Sequence, residues 1–271
     1  MGGCMMERII RSGRVEEKYT FRVAPNTKPR AKKKKGATLP RKQDANERAC
    51  TKRLARLINC NFTHGDLLLS PNWDEERLKA LTEKAGGDLE ALYALAEHEL
   101  DLFLLRLRRE LKKQDRQLRY IAITSDQNGE TGELVRIHHH ILIPCEGIEM
   151  RGGKLWIGEK TLESVWKNGN VDYQPLRSQE DYTPLAEYLM RQVRRKPDAS
   201  KYKASRNLAK PVLVSERLVY AAKELQTPKG AKIVYRAAYT PGEGQYIRYI
   251  RPGRQFRRKK RTGEDREDGK I

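Results

Sequence analysis

Three consecutive histidines, His138, His139 and His140, lie in the middle of a strand-like run over residues 136–144. Side chains alternate between the two faces of a strand, so His138 and His140 point the same way and His139 points the opposite way. Two imidazoles about 6–7 Å apart along one face can hold a divalent metal ion. A fortuitous polar strand is the alternative interpretation, and the spacing alone leaves both open.

A second candidate is Tyr188, which lies in a segment of helical pattern over residues 182–193 with Pro184 in its first turn. A phenol is a poor nucleophile, but metal-assisted phosphoryl chemistry can use one. Arg191 and Gln192 follow three and four residues later and share the helix face of Tyr188. Arg191 could hold a phosphate or the phenolate, and Gln192 could reach the metal. A tyrosine packed in an amphipathic helix is the alternative interpretation.

Composition points to a polyanionic partner. The 271-residue chain carries 56 Lys and Arg against 36 Asp and Glu, for a net charge of +20. Nucleic acid is the simplest such partner, because phosphates contribute a salt-dependent binding term, although a merely basic surface would give the same charge.

Four cysteines without a paired pattern indicate reduced thiols. No apolar stretch reaches the length of a membrane span or a signal-peptide core, so we expect a cytoplasmic protein.

Positive charge is concentrated near the two ends of the chain. These clusters are candidate DNA-binding residues, with solvated tails as the alternative: Lys32, Lys33, Lys34 and Lys35 near one end, and Arg257, Arg258, Lys259, Lys260 and Arg261 near the other. We expect a basic, disordered arm over residues 1–45, a main domain over 46–220, and a β-hairpin with a charged tail over 221–271.

The order of predicted elements gives the fold class. A long helix follows Gly86 and Gly87, and a strand covers residues 118–124. A turn over 125–129 leads to the histidine strand, which we expect to pair with the preceding strand as an antiparallel hairpin, and the tyrosine helix comes later. The order favours an α+β fold with a ferredoxin-like, split βαβ antiparallel sheet and helices on one face. Such a fold does not specify a chemistry.

Several segments together resemble the ordered motifs of HUH endonucleases. They are Tyr120-Ile121-Ala122-Ile123-Thr124-Ser125-Asp126, Arg136-Ile137-His138-His139-His140-Ile141-Leu142 and Ala186-Glu187-Tyr188-Leu189-Met190-Arg191-Gln192. Supporting matches are Asp66-Leu67-Leu68-Leu69-Ser70, Trp166-Lys167-Asn168-Gly169 and Ser205-Arg206-Asn207-Leu208. The likeness covers about residues 45–220 and is strongest to rolling-circle replication initiators of bacterial plasmids, integrative elements and single-stranded DNA phages.

The resemblance implies that His138 and His140 bind Mg²⁺ or Mn²⁺ and that Tyr188 attacks a phosphate of single-stranded or hairpin origin DNA. The products would be a 5′-phosphotyrosyl link and a free 3′-OH that primes rolling-circle replication, and the strand is later rejoined. Arg206 would contribute to DNA binding. A Walker phosphate loop is absent from the sequence, so a host helicase and polymerase are the expected partners.

Two positions depart from the family pattern. The family usually places a glutamate, as third metal ligand, near the end of the strand over 118–124, where this chain has Ser125-Asp126. Asp126 is the first candidate, although a one-residue shift would turn it to the other face. Related transposases use a glutamine four residues after the tyrosine, which makes Gln192 the alternative. Arg191 stands where the family usually has a lysine, and it keeps the charge but not the point-like geometry.

Two other functions remain open. A single-tyrosine transposase would share the motifs, but such enzymes are usually much shorter. A non-catalytic, basic nucleic-acid-binding protein would need neither the metal nor Tyr188.

Overall fold

A computed structural model describes residues 5–23, 40–193, 201–219, 224–238 and 244–252. The basic clusters at residues 32–35 and 257–261 lie outside this part of the chain. Within it, no helix is both long and apolar enough to cross a membrane. The chain is α+β with antiparallel sheets, as predicted.

The described residues contain five helices and thirteen strands. The helices are α1 (Pro40–Asn61), α2 (Glu75–Lys84), α3 (Leu89–Lys113), α4 (Leu162–Trp166) and α5 (Thr183–Arg191). The strands are β1 (Met5–Ser12), β2 (Val15–Arg22), β3 (Leu67–Pro71), β4 (Ile121–Gln127), β5 (Leu134–Ile143), β6 (Glu149–Arg151), β7 (Lys154–Ile157), β8 (Lys160–Thr161), β9 (Val171–Pro175), β10 (Lys203–Ala204), β11 (Val212–Val219), β12 (Lys232–Arg236) and β13 (Tyr246–Ile250).

The central sheet has the order β10-β4-β5-β3-β9, and every neighbouring pair in it is antiparallel. β5 carries the three histidines and lies between β4 and β3. The predicted antiparallel pairing of the histidine strand with the preceding strand is confirmed, with Ile123 opposite His140 and Ser125 opposite His138. β4 bulges between Ser125 and Gln127, which ends the regular ladder beside the histidines.

Helices cover both faces of the central sheet, which corrects the expectation of helices on one face. On one face, Ala122 and Ile141 pack with the apolar stripe of α3 and with Trp166 of α4. On the other face, Ile123 and Leu142 pack against α1 and α5. The strands of this sheet carry apolar residues at successive positions, such as Leu67-Leu68-Leu69, because both of their faces are buried.

The second sheet has the order β11-β1-β2-β13-β12 and joins residues from both ends of the chain. The expectation of disorder over residues 1–45 is therefore wrong for β1 and β2. Charge suggested disorder there, but the carboxylates of these strands are buried and form ion pairs. Glu7 pairs with Arg217 of β11, and Glu17 pairs with Arg56 of α1. A solvated, unstructured segment has no such partners, which is why composition alone gave the wrong answer.

Candidate active site

The alternation of β5 assigns the three histidines to different surroundings. His138 and His140 share the face of Leu142, toward α1 and α5. His139 faces the α3 side, where its ring lies 5.5 Å from that of Trp166 and 6.2 Å from that of Trp73, between ring centroids. His139 is fully buried, whereas His138 is half-buried. The strand thus separates a packing histidine from two histidines that border a site.

Three donor atoms converge beside β5. The Nε2 atoms of His138 and His140 lie 3.2 Å apart, and the Oε1 atom of Gln192 lies 3.2 Å from Nε2 of His140. Adjacent oxygen or nitrogen ligands of one octahedral cation, with bonds of about 2.1 Å, lie roughly 3 Å apart. Both measured spacings therefore fit adjacent ligands of one divalent cation.

Hydrogen bonds on the far side of each ring set its donor and acceptor roles. Nδ1 of His138 donates to the carbonyl oxygen of Arg136 at 2.9 Å, which leaves Nε2 as a lone-pair donor. Nδ1 of His140 lies 3.3 Å from the Ser70 hydroxyl on β3. The hydroxyl oxygen can accept a hydrogen bond from Nδ1–H, which leaves Nε2 of His140 with a lone pair for a metal ion. Burial, and then the charge of His138, lower the pKa of His140 to about 4. His140 is therefore neutral near pH 7, the state in which imidazole binds metal.

Helix α5 positions Tyr188 and Gln192. Its apolar residues Ala186, Leu189 and Met190 recur at helical spacing and are buried against the face of the sheet that carries His140. The Asp181 carboxylate fixes the start of α5 by accepting hydrogen bonds from the backbone and hydroxyl of Thr183, at 3.0 and 2.7 Å. The helix therefore presents its remaining face in a defined orientation.

Tyr188 lies on the exposed face of α5. The residue is 45% exposed. Its ring centroid lies 6.3 Å from that of His140. Arg191, the last residue of the helix, is exposed as well, and Gln192 caps the helix with its side chain turned inward, 6% exposed. A nucleophile candidate and the three metal-donor candidates thus border one site.

The turn after β4 closes against Gln192. Asn128 shapes this turn: its side chain accepts hydrogen bonds from the backbone N–H groups of Glu130 and Thr131, at 2.8 and 3.2 Å. A Cβ atom on Gly129 would lie 3.1 Å from Cγ of Gln192. Glycine is therefore the residue that lets this turn pack against the stem of Gln192 without displacing it.

Asp126 lies outside the convergence of donors. Among the described residues, no three His, Cys, Asp or Glu side chains are grouped so that they could hold a metal, and this includes Asp126 with the two histidines. Ser125, opposite His138, occupies the histidine face, and Asp126 is the buried residue within the bulge that follows. Gln192, rather than Asp126, is the third donor beside the histidines in this arrangement.

Arg206 is placed at the other end of the central sheet. Its neighbour Ser205 exchanges hydrogen bonds with the backbone of Tyr120, just before β4 begins. That end of β4 pairs with Leu142, which lies about 14 Å along β5 from His138 at 3.4 Å per residue. Arg206 is exposed there but is not gathered with the site.

Two residues of the site were missed by sequence reasoning. Ser70 was quoted only as part of a motif, although alternation along β3 assigns it to the same face as Leu68, which pairs with Leu142. Gly129 was interpreted only as a turn residue, and no sequence signal indicates its contact with Gln192.

A family model matches part of the chain. Residues 80–195 match the model of the family named replication-associated protein ORF2/G2P. This stretch is similar to a replication protein family. It includes β4, β5 and α5, and hence the histidines, Tyr188 and Gln192. No curated protein and no solved structure matches the chain.

Proposed function

We propose that this protein is a replication initiator of the HUH endonuclease type, which nicks single-stranded DNA at an origin and later rejoins it. The observation that carries the proposal is the convergence of His138, His140 and Gln192 beside the exposed Tyr188. The match to a replication-associated family supports the same role.

In this proposal the Tyr188 oxygen attacks a DNA phosphate. An O–P bond forms to the tyrosine, and the bond between phosphorus and the 3′-oxygen of the preceding nucleotide breaks. The strand on the 3′ side of the nick stays attached through its 5′-phosphate as a phosphotyrosine. The other strand ends in a 3′-OH, and attack by a 3′-OH reverses the step to rejoin the strand. Arg191, on the same exposed helix face, is suited to bind the phosphate and to stabilise a phenolate.

His138, His140 and Gln192 would hold Mg²⁺ or Mn²⁺, since the two histidine nitrogens, and the Gln192 oxygen with Nε2 of His140, lie at a spacing that adjacent ligands of one cation have. The ion would polarise the scissile phosphate and offset the charge that develops on its non-bridging oxygens. Ser70 and the Arg136 carbonyl orient the two imidazoles for this role.

A second candidate function is a single-tyrosine transposase. It is favoured by the position of Gln192, because related transposases use a glutamine four residues after the tyrosine. Replication remains the first proposal, because the match over residues 80–195 is to a replication-associated family.

The test uses labelled single-stranded oligonucleotides that tile the DNA next to the gene. We expect nicking at one site with Mg²⁺ or Mn²⁺ and none with EDTA. A variant with both His138→Ala and His140→Ala should bind the same oligonucleotide and fail to nick it. His98→Ala, at an exposed helix position, is the matched control. Full nicking by the double variant would overturn the proposal, and nicking at both ends of a mobile element would favour the transposase.

A further inference from the structure

The second sheet carries aromatic and cationic side chains on one of its faces. Residues directly opposite each other in antiparallel strands point to the same face, and Tyr19 of β2 lies opposite both Arg8 of β1 and Tyr246 of β13. Farther along, Arg248 of β13 lies opposite Tyr235 of β12. We call this surface the aromatic face and define it by Tyr19, Phe21, Tyr235 and Tyr246, with the cations between them.

Cations lie over the rings of the aromatic face. The Lys52 ammonium of α1 lies 4.2 Å from the ring centroid of Tyr246. The Arg248 guanidinium lies 5.8 Å from that of Tyr235, and the Arg8 guanidinium lies 5.1 Å from that of Phe21. Tyr235 is 51% exposed, on a strand at the edge of the sheet. An exposed ring beside a fixed positive charge can stack on a base while the charge meets a phosphate.

Helix α1 adds a row of positive charge beside this face. Arg48, Lys52 and Arg56 follow one another at intervals of four residues, and like charges at this spacing destabilise a helix. Burial lowers the pKa of Lys52; Glu17 opposes that shift, and Arg56, Arg248 and Arg48 add to it. Arg56 is paired with the Glu17 carboxylate, whereas Arg48 and Lys52 are exposed and can meet an anion.

We propose that the aromatic face, together with Lys52 and Arg48, binds single-stranded DNA as a second contact outside the nicking site. Unpaired bases can stack on Tyr235 and its neighbours, while phosphates follow the cations of α1. A duplex keeps its bases stacked on one another, so it cannot use these rings in the same way. The net charge of +20 fits a polyanion as the occupant.

The aromatic face is linked directly to the helix of Tyr188. Arg248 forms an ion pair with Asp181 at 2.9 Å, and Asp181 holds the first residue of α5 through Thr183. Tyr188 lies five residues beyond Thr183, roughly 8 Å along the helix axis at 1.5 Å per residue. The aromatic face is thus connected to the proposed nucleophile through the first turn of α5.

The test measures binding rather than cleavage, so that it stands apart from the proposed nicking activity. The full chain is titrated, in EDTA and at several salt concentrations, against a fluorescent oligothymidylate of about twenty nucleotides. Tyr235→Ala should weaken binding roughly fivefold or more, as expected when one stacking aromatic is removed. Tyr235→Phe keeps the ring and should bind as the parent does.

Lys52→Gln should reduce the slope of log affinity against log salt by about 0.7, the value for one lost phosphate contact on a single strand. Lys79→Gln, at an exposed position of α2, is the matched control and should leave the slope unchanged. Parent-like affinity of Tyr235→Ala, or equal slope changes for the two lysine variants, would overturn the proposal. An equal loss of affinity for a duplex of the same length would also overturn it, because stacking on unpaired bases would then not be the cause.

Discussion

The two faces of strand β5 hold the same residue type in opposite roles. On one face, His138 and His140 lie beside Gln192 and the exposed Tyr188. On the other face, His139 is fully buried between Trp73 and Trp166, and its Nδ1 lies 3.2 Å from the Thr124 hydroxyl. Burial, and then the charges of its histidine neighbours, lower the pKa of His139 to about 3. Alternation along a strand is thus enough to separate chemistry from packing.

The largest expected effect separates the two faces by substitution. His138→Ala, at the half-buried histidine, should reduce nicking by several orders of magnitude, with little change in unfolding free energy. His139→Ala should destabilise the fold by about 2–4 kcal/mol, as large-to-small changes in a core do, while the remaining folded protein nicks normally. Urea unfolding and nicking per folded molecule, measured for both variants, decide the matter. If the two variants lose nicking equally and have the same unfolding free energy, the two faces of β5 do not differ in role.

The next prediction concerns the third metal ligand. Gln192→Ala should raise the metal concentration for half-maximal nicking on the order of tenfold or more, because a direct ligand is lost. Gln192→Glu should lower it, since a hard cation prefers a charged oxygen. Asp126→Ala is the comparison. If Asp126→Ala raises the metal requirement and Gln192→Ala does not, the arrangement proposed here is wrong.

A smaller effect is expected from Ser70→Ala, which removes the hydroxyl beside Nδ1 of His140. Residues that orient metal-binding histidines contribute about 10–100-fold to affinity or activity, and the 3.3 Å separation favours the lower end of that range. Mn²⁺ binding followed by electron paramagnetic resonance measures the change directly. Ser164→Ala, at a hydroxyl in α4, provides a control, and an equal change in both variants would contradict the assigned role.

The smallest effect is expected from Gly129→Ala. The added methyl group would meet Cγ of Gln192 at 3.1 Å and displace the side chain slightly, so the metal requirement should rise a few-fold. In a Gln192→Ala background the same change should have no further effect, since the atom it meets is gone. An effect of the same size in both backgrounds would mean that Gly129 acts on the turn alone.

Local patterns predicted the central part of this site. The spacing of His138 and His140, the pairing of β4 with β5, and the helix that carries Tyr188 all follow from periodicity over a few residues. These features repeat at two or about three and a half residues, which a sequence displays directly.

Contacts between distant segments were not predictable in the same way. Ser70 reaches His140 across 70 positions of the chain, and Glu7 reaches Arg217 across 210. The buried ion pairs of β1 and β2 turn a charged segment into part of a sheet, while its composition favoured disorder. The choice between Asp126 and Gln192 depended on a bulge of one residue in β4, which alternation cannot anticipate.

The most direct test of the central claim is the covalent product at Tyr188. The protein is incubated with Mn²⁺ and a single-stranded oligonucleotide labelled on the 3′ side of the nick, and then separated under denaturing conditions. We predict labelled protein whose nucleotide-bearing peptide contains Tyr188. Tyr188→Phe should give no labelled protein. Tyr182→Phe, at a buried residue of the same segment, should still give labelled protein. Labelled protein from Tyr188→Phe, or a nicked strand with no covalent protein, would contradict the account.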